Sequence, residues 1–304
     1  MGRALAFVAL MAIVLAACGG PTSDGSAGPT PDPDAIRVVA TTTVFADLVA
    51  QVGGTRVSVH SLVPKGGEVH TFDPTPADIQ RIATAQLVVR NGLGLDDWLD
   101  SLVNDAGTQA PSIALAEDLP GVTYLTGNGD TPNPHLWMDV AYASLYVGRI
   151  AEALASVDPP DAGLFAQRSA DYQQTLSALD ARIRGQIATI PATDRVVVSF
   201  HDAFPYYARA YGLTVVGTII DAPGQDPSAG EIAALVDRIR ASGARAIFAE
   251  AQFNDALAQA IAGETGATVV TDLYDGSLGD APADSYVGMM TWDTDRVVAA
   301  IGAG

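Results

Sequence analysis

The sequence predicts an α/β protein of two similar lobes, each with a mainly parallel sheet, joined by a long connector helix. Three observations carry that expectation. From Ile36 onward, short β-branched runs alternate with helical stretches, the pattern of βα units whose crossovers cover both faces of a sheet. One segment, Ala162 to Ile190, breaks the alternation and contains no proline. The chain has 304 residues, 48% of them hydrophobic, enough for a folded core and for two domains of ordinary size.

The elements follow in order. Ile36 to Ala40, Val57 to Val63 and Leu87 to Val89 read as strands, with helices expected at Phe45 to Gln51 and Ala77 to Ala85. Thr75-Pro76 gives the second helix an N-cap and a proline at its first position. Leu95 to Val103 and Ala141 to Ala155 are further helix candidates. In the long segment, Phe165, Tyr172, Leu176, Leu179, Ile183 and Ile187 recur at helical spacing. At 1.5 Å per residue that helix is roughly 40 Å long, able to run along both lobes.

A second βα series then offers strands at Val196 to Phe200, Leu213 to Ile220, Ala246 to Ala249 and Thr268 to Thr271. Its helices are expected at Pro205 to Tyr211, Ser228 to Ala241, Phe253 to Ala262 and Thr294 to Ile301. Ser228 followed by Glu231 is a capping-box signature. These elements place a first lobe at 35–160, the connector at 161–190 and a second lobe at 191–304. In open α/β sheets, ligands bind at the carboxyl ends of the strands, so a shared cleft between the lobes is the expected site.

The first residues form an address rather than part of the body. Arg3 precedes an unbroken apolar run from Ala4 to Ala17, too short to cross a bilayer core of about 30 Å but suited to a secretory signal over residues 1–17. The run closes on Leu15-Ala16-Ala17-Cys18, which resembles the bacterial lipoprotein processing motif. That resemblance makes Cys18 the lipidated first residue of an extracytoplasmic protein held to the cell membrane. Residues 18–34, rich in Gly, Pro, Ser, Thr and Asp, read as a flexible tether.

Composition excludes other classes. With 16 Lys+Arg against 35 Asp+Glu, the formal net charge is −19, which argues against a nucleic-acid partner and suits a cationic ligand. The single cysteine rules out an internal disulfide framework and any multi-thiolate metal site.

Four histidines occur, His60, His70, His135 and His201. His60 lies in an alternating strand and reads as a dispensable polar-face residue. The others sit at exits of βα units on both sides of the connector: His70 in a Gly/Pro-rich loop before Thr75-Pro76, His135 in Asn133-Pro134-His135-Leu136-Trp137-Met138-Asp139, and His201 after the apolar strand that begins at Val196. Each alone is an ordinary loop residue. Together they offer three neutral nitrogen donors, a set suited to Zn²⁺ at about 2.0–2.1 Å and less so to the harder Mn²⁺. Glu68, Asp139, Asp202 and Glu250 are candidate acceptors for the imidazoles' second N–H groups, or else helix caps and solvated carboxylates.

These motifs resemble the solute-binding lipoproteins of bacterial zinc and manganese ABC transporters, the cluster A-I metal-binding proteins. The resemblance rests on His70-Thr71-Phe72-Asp73-Pro74-Thr75-Pro76, on the Asn133–Asp139 block, on Phe200-His201-Asp202-Ala203-Phe204 with Tyr207-Ala208-Arg209-Ala210-Tyr211-Gly212-Leu213, and on Tyr286-Val287-Gly288-Met289-Met290. It implies two lobes joined by a long helix, with one metal in the cleft held by His70, His135 and His201. It further implies delivery to a membrane permease by a monomer that is not an enzyme. Histidine at the third ligand position is similar to zinc-type members; manganese-type members more often place glutamate there. Residues 127–132 lack the histidine-rich loop of some zinc-binding relatives.

The family's aspartate ligand aligns with Gly276, one residue beyond Asp275, so Asp275 becomes the fourth ligand if a local loop shift brings it to the metal. The readings in play are therefore zinc capture for transport, manganese capture for transport, a zinc-dependent hydrolase with water in the open position, and an adhesin stabilised by a structural metal.

Overall fold

The computed structural model describes residues 30–127 and 131–302; the signal segment, Cys18 and the tether as far as residue 29 lie outside them. Within the first lobe, β1 (Ile36–Ala40), α1 (Thr43–Gly53), β2 (Val57–Ser61), α2 (Pro76–Thr84), β3 (Leu87–Arg90), α3 (Trp98–Ala106), β4 (Ser112–Ala114) and α4 (Val140–Val157) follow one another. The long helix is α5 (Ala162–Ala188). The second lobe runs β5 (Val196–Ser199), α6 (Pro205–Tyr211), β6 (Thr214–Thr218), α7 (Ala229–Ser242), β7 (Ala246–Glu250), α8 (Ala256–Thr265), β8 (Thr268–Leu273) and α9 (Tyr286–Ile301).

Both sheets are wholly parallel and share one strand order: β2-β1-β3-β4 in the first, β6-β5-β7-β8 in the second. In that order the chain leaves the first strand in one direction and then crosses back past it. The crevice therefore opens at the carboxyl ends of β1 and β3, and of β5 and β7. His201 leaves β5 and Glu250 ends β7, on neighbouring strands of the second sheet.

Local chemistry explains most element ends. Thr42 Oγ1 accepts from Phe45 N–H to cap α1. Thr75 N–H and Oγ1–H both donate to Asp78 Oδ2 at the start of α2. Ser228 and Glu231 form the expected reciprocal pair on α7. Helix α6 stops at Gly212, where φ is +79°, a left-handed turn that glycine adopts without a Cβ clash.

Three sequence expectations need correction. Strand β4 was not foreseen, because three residues are too few to show a period. Helix α3 begins at Trp98, not Leu95, because Asp96 is turned inward to accept the N–H groups of Asn91 and Gly92. Helix α9 begins at Tyr286, eight residues before Thr294; its start is marked by Ser285, whose hydroxyl accepts from Gly288 N–H.

The connector buries one stripe, Phe165, Tyr172, Leu176, Leu179, Ile183 and Ile187, against α1, α4, α6 and α9. Its apolar core continues from Val38 and Phe45 through Trp137 and Tyr146 to Tyr207, Phe248 and Met289 without a break. Smaller apolar clusters cover the outer face of each sheet, around Ile82 and Leu99 in one lobe and around Leu235 and Ile247 in the other. The inner core thus belongs to both lobes, and it fixes the two sets of strand ends against each other.

Candidate metal centre

His70, His135 and His201 converge. Among the described residues they form a group whose ligand nitrogens all lie within 4.8 Å of one another. His70 Nε2 and His135 Nε2 are 3.3 Å apart. Two nitrogens bound tetrahedrally to one ion at about 2.0–2.1 Å stand about 3.3–3.4 Å apart, so this spacing is an edge of a zinc-sized coordination shell. His135 and His201 are buried and His70 nearly so, beside a cavity of about 430 Å³ that reaches Asp202 and Asp221.

Each imidazole is oriented by a different device. His135 Nδ1 lies 3.1 Å from Asn133 Oδ1. The amide of Asn133 has only one reasonable orientation, because its Nδ2 donates to both the carbonyl and the carboxylate of Asp202. An oxygen facing Nδ1 puts the ring proton there and leaves the Nε2 lone pair for the shared centre. His201 Nδ1 lies 3.0 Å from Glu250 Oε1, and its Nε2 lies 3.4 Å from Asp275 Oδ2. Nδ1 thus pairs with Glu250, and Nε2 is turned toward Asp275. His70 is fixed through its backbone, whose N–H donates to Glu68 Oε1 at 2.8 Å.

Asp275 is buried beside His201, 2% exposed, while the group of mutually close ligand atoms among the described residues is the three histidines. Its Oδ1 accepts from Gln252 Nε2 at 2.7 Å, and its backbone carbonyl accepts from the Trp137 indole at 2.7 Å. A Cβ added at Gly276, next to it, would make an ordinary contact with Val69. Of the four acceptor candidates, Glu250 and Glu68 stand at the centre, and Asp202 acts one step away through Asn133. Asp139 does not reach the imidazoles: it caps α4 by accepting from Ala141 N–H and pairs with Arg209 at 3.7 Å. A carboxylate just before a helix has this use, which the Asp139-Val140-Ala141 start already signalled. His60 lies on the exposed face of β2 and is not part of the converging group. Asn133 and Gln252 are the residues sequence reasoning missed, since an amide's partner is set by tertiary contact alone.

The electrostatics divide the cluster. Burial, with the neighbouring His201 charge, holds His70 down at about 4 and His135 well below the usual histidine range. Burial also pushes against charge on His201, but Glu250 first, then Asp275 and Glu68, outweigh it and lift this imidazole to about 9. Burial and the adjacent Asp275 raise Glu68 to about 7. Three imidazoles, two of them held neutral, converge beside two or three carboxylates, a set able to neutralise a compact dication once His201 gives up its proton.

Comparison with known proteins agrees with this geometry. Residues 38–300 match the family described as zinc-uptake complex component A, periplasmic. The manganese-binding lipoprotein MntA of Halalkalibacterium halodurans is 28% identical over 97% of this chain and 96% of its own. The iron ABC transporter substrate-binding lipoprotein MtsA of Streptococcus pyogenes is 25% identical over 98% of each chain. The periplasmic zinc-binding protein TroA of Treponema pallidum superposes with a TM-score of 0.81 at 29% identity, over 88% of this chain and 99% of that one. The chain therefore belongs to the cluster A-I family of metal-binding solute-binding lipoproteins of ABC transporters.

Proposed function

We propose that the protein captures a single divalent transition-metal ion with His70, His135, His201 and Asp275 and hands it to its permease. Membership in the family makes it an extracytoplasmic, lipid-anchored transport protein whose partner is an ABC-transporter permease, and not an enzyme. The observation that supports the ligand set best is the 3.3 Å approach of two Nε2 atoms. Two neutral imidazoles brought that close with their lone pairs converging repel unless a proton or a cation lies between them. We assign the lipid anchor to Cys18, the signal to residues 1–17 and the tether to residues 18–34, with the two lobes and connector divided at about residues 160 and 190.

Two readings of the cargo compete. A donor set of three nitrogens and one oxygen favours zinc, and the 3.3 Å His70–His135 separation supports it. Manganese is favoured by a different observation: several of the similar curated proteins are named for manganese. Competitive titration of metal-free protein with Zn²⁺ and Mn²⁺, followed by measurement of bound metal, decides between them. Trp137, whose ring centre lies 5.2 Å from that of His135, supplies the fluorescence signal. A stripped protein that ignores both ions would end the capture reading.

A further inference from the structure

We propose that Gln252 sets the number of donors the cation receives, and with it the metal preference, by withholding one oxygen of Asp275. The proposal rests on the ligand set given above. Gln252 lies in the turn two residues beyond Glu250, the last residue of β7. Glu250 goes to His201; Gln252 goes to Asp275, with Nε2 2.7 Å from Oδ1. The same Nε2 stands 3.5 Å from Glu68 Oε2. Two carboxylate acceptors on one side fix which way the amide faces, because its own oxygen would be repelled there.

The consequence falls on Asp275. Its Oδ1 is taken by a hydrogen bond to an amide, while Oδ2 is the oxygen that faces His201 Nε2 at 3.4 Å. The carboxylate cannot swing to offer both oxygens without losing Gln252, and the Trp137 indole holds the main chain behind it. With Oδ1 turned to Gln252, Oδ2 is the oxygen that Asp275 presents to the imidazoles. With three imidazoles the total is four donors, which suits zinc; an ion wanting six must find the rest from water or from a two-oxygen carboxylate. A Gln252 that only supported the loop would change affinity for every metal alike. A Gln252 that rations oxygen changes their ratio.

The test uses the full chain, stripped of metal, with Gln252→Met and Gln252→Ala beside the unaltered protein. Gln252→Met keeps the side-chain length without the N–H, and carries the test if the alanine variant does not fold. Co²⁺ is the spectroscopic probe, since four-coordinate cobalt absorbs visible light several-fold more strongly than six-coordinate cobalt. The unaltered protein should give the strong spectrum, and the variants a several-fold weaker one. The Zn²⁺-to-Mn²⁺ affinity ratio should fall about tenfold, the lower end of what partners behind metal ligands contribute.

An unchanged ratio and spectrum in both variants overturns the proposal, as does an equal loss for both metals with the strong spectrum kept, or a weak spectrum in the unaltered protein. Asp275→Ala separates the underlying reading. If that change leaves the cobalt spectrum as it was, Asp275 is not a ligand, and the ligand set falls together with the role of Gln252.

Discussion

The two lobes share a strand order but bring different chemistry to the metal centre. The first contributes His70 and His135, buried imidazoles that resist protonation, and orients His135 with a neutral amide, Asn133. The second contributes His201, held between Glu250 and Asp275 and lifted to about 9. One side thus supplies lone pairs, and the other supplies a lone pair together with the negative charge that a dication needs. In the metal-free protein near neutral pH, the proton on His201 neutralises part of that charge. The incoming ion replaces it.

Substitutions can break this division. The largest effect should come from His201→Ala, which removes a donor and leaves Glu250 and Asp275 facing each other without a cation. Metal affinity should drop by about 10³-fold, since a bound zinc is worth about 10–16 kcal/mol over four ligands. The metal-free protein should also lose thermal stability, whereas His135→Ala should cost comparable affinity with little loss of metal-free stability. Isothermal titration and melting curves of the two variants check the contrast; equal melting temperatures would erase it.

Asp275→Ala should come next, with about 10²-fold weaker binding. Behind it stand the orienting groups. Glu250→Gln and Asn133→Ala should each weaken binding by about 10–100-fold, and only Glu250→Gln should lower the basicity of His201, as followed by NMR titration of its ring protons.

Acidity sharpens the same contrast. A ligand that must lose its proton to bind makes affinity rise with pH until the metal-free group's own titration point is passed. For His201 that point is about 9, so affinity should rise about tenfold per pH unit between 7 and 9 and level off above. Below about 7, where metal-free Glu68 also takes a proton, the slope should steepen. Calorimetry in buffers of differing ionisation enthalpy should find about one proton released per ion at pH 7.5. Proton release near zero would mean that His201 is already neutral. The smallest effect belongs to His60→Ala, which should leave affinity within about twofold, as for surface changes away from any site.

Much of this was legible in the sequence, and the gaps have physical causes. Lone histidines at βα exits could be read because strand ends converge in a parallel sheet whatever the details of packing. Helix α5 could be read because its stripe of apolar residues persists over many turns. Asn133 and Gln252 could not: their meaning lies in contacts with Asp202 and Asp275, 69 and 23 residues away in the chain. For Asp139 both an acceptor role and a helix-cap role were open from sequence, since nearness to His135 says nothing about which way the carboxylate turns, and the structure puts it on the cap.

The segment carrying Asp275 belongs to the second lobe by chain order, and Gln252 of that lobe holds its carboxylate, yet much of its backbone is bonded to the first. The Trp137 indole, Thr43 Oγ1 and Asp47 Oδ2 hold Asp275, Leu278 and Tyr286, and Ser277 Oγ accepts from Gly66 N–H. A second lobe that tilts outward would carry His201 with it and would have to part Asp275 either from Gln252 or from its first-lobe moorings. Unloading then needs no wide gape: parting one imidazole from one moored oxygen is enough to strand the ion. Amide exchange at Leu278 and Tyr286 that stays slow in the empty protein would mark the mooring as permanent.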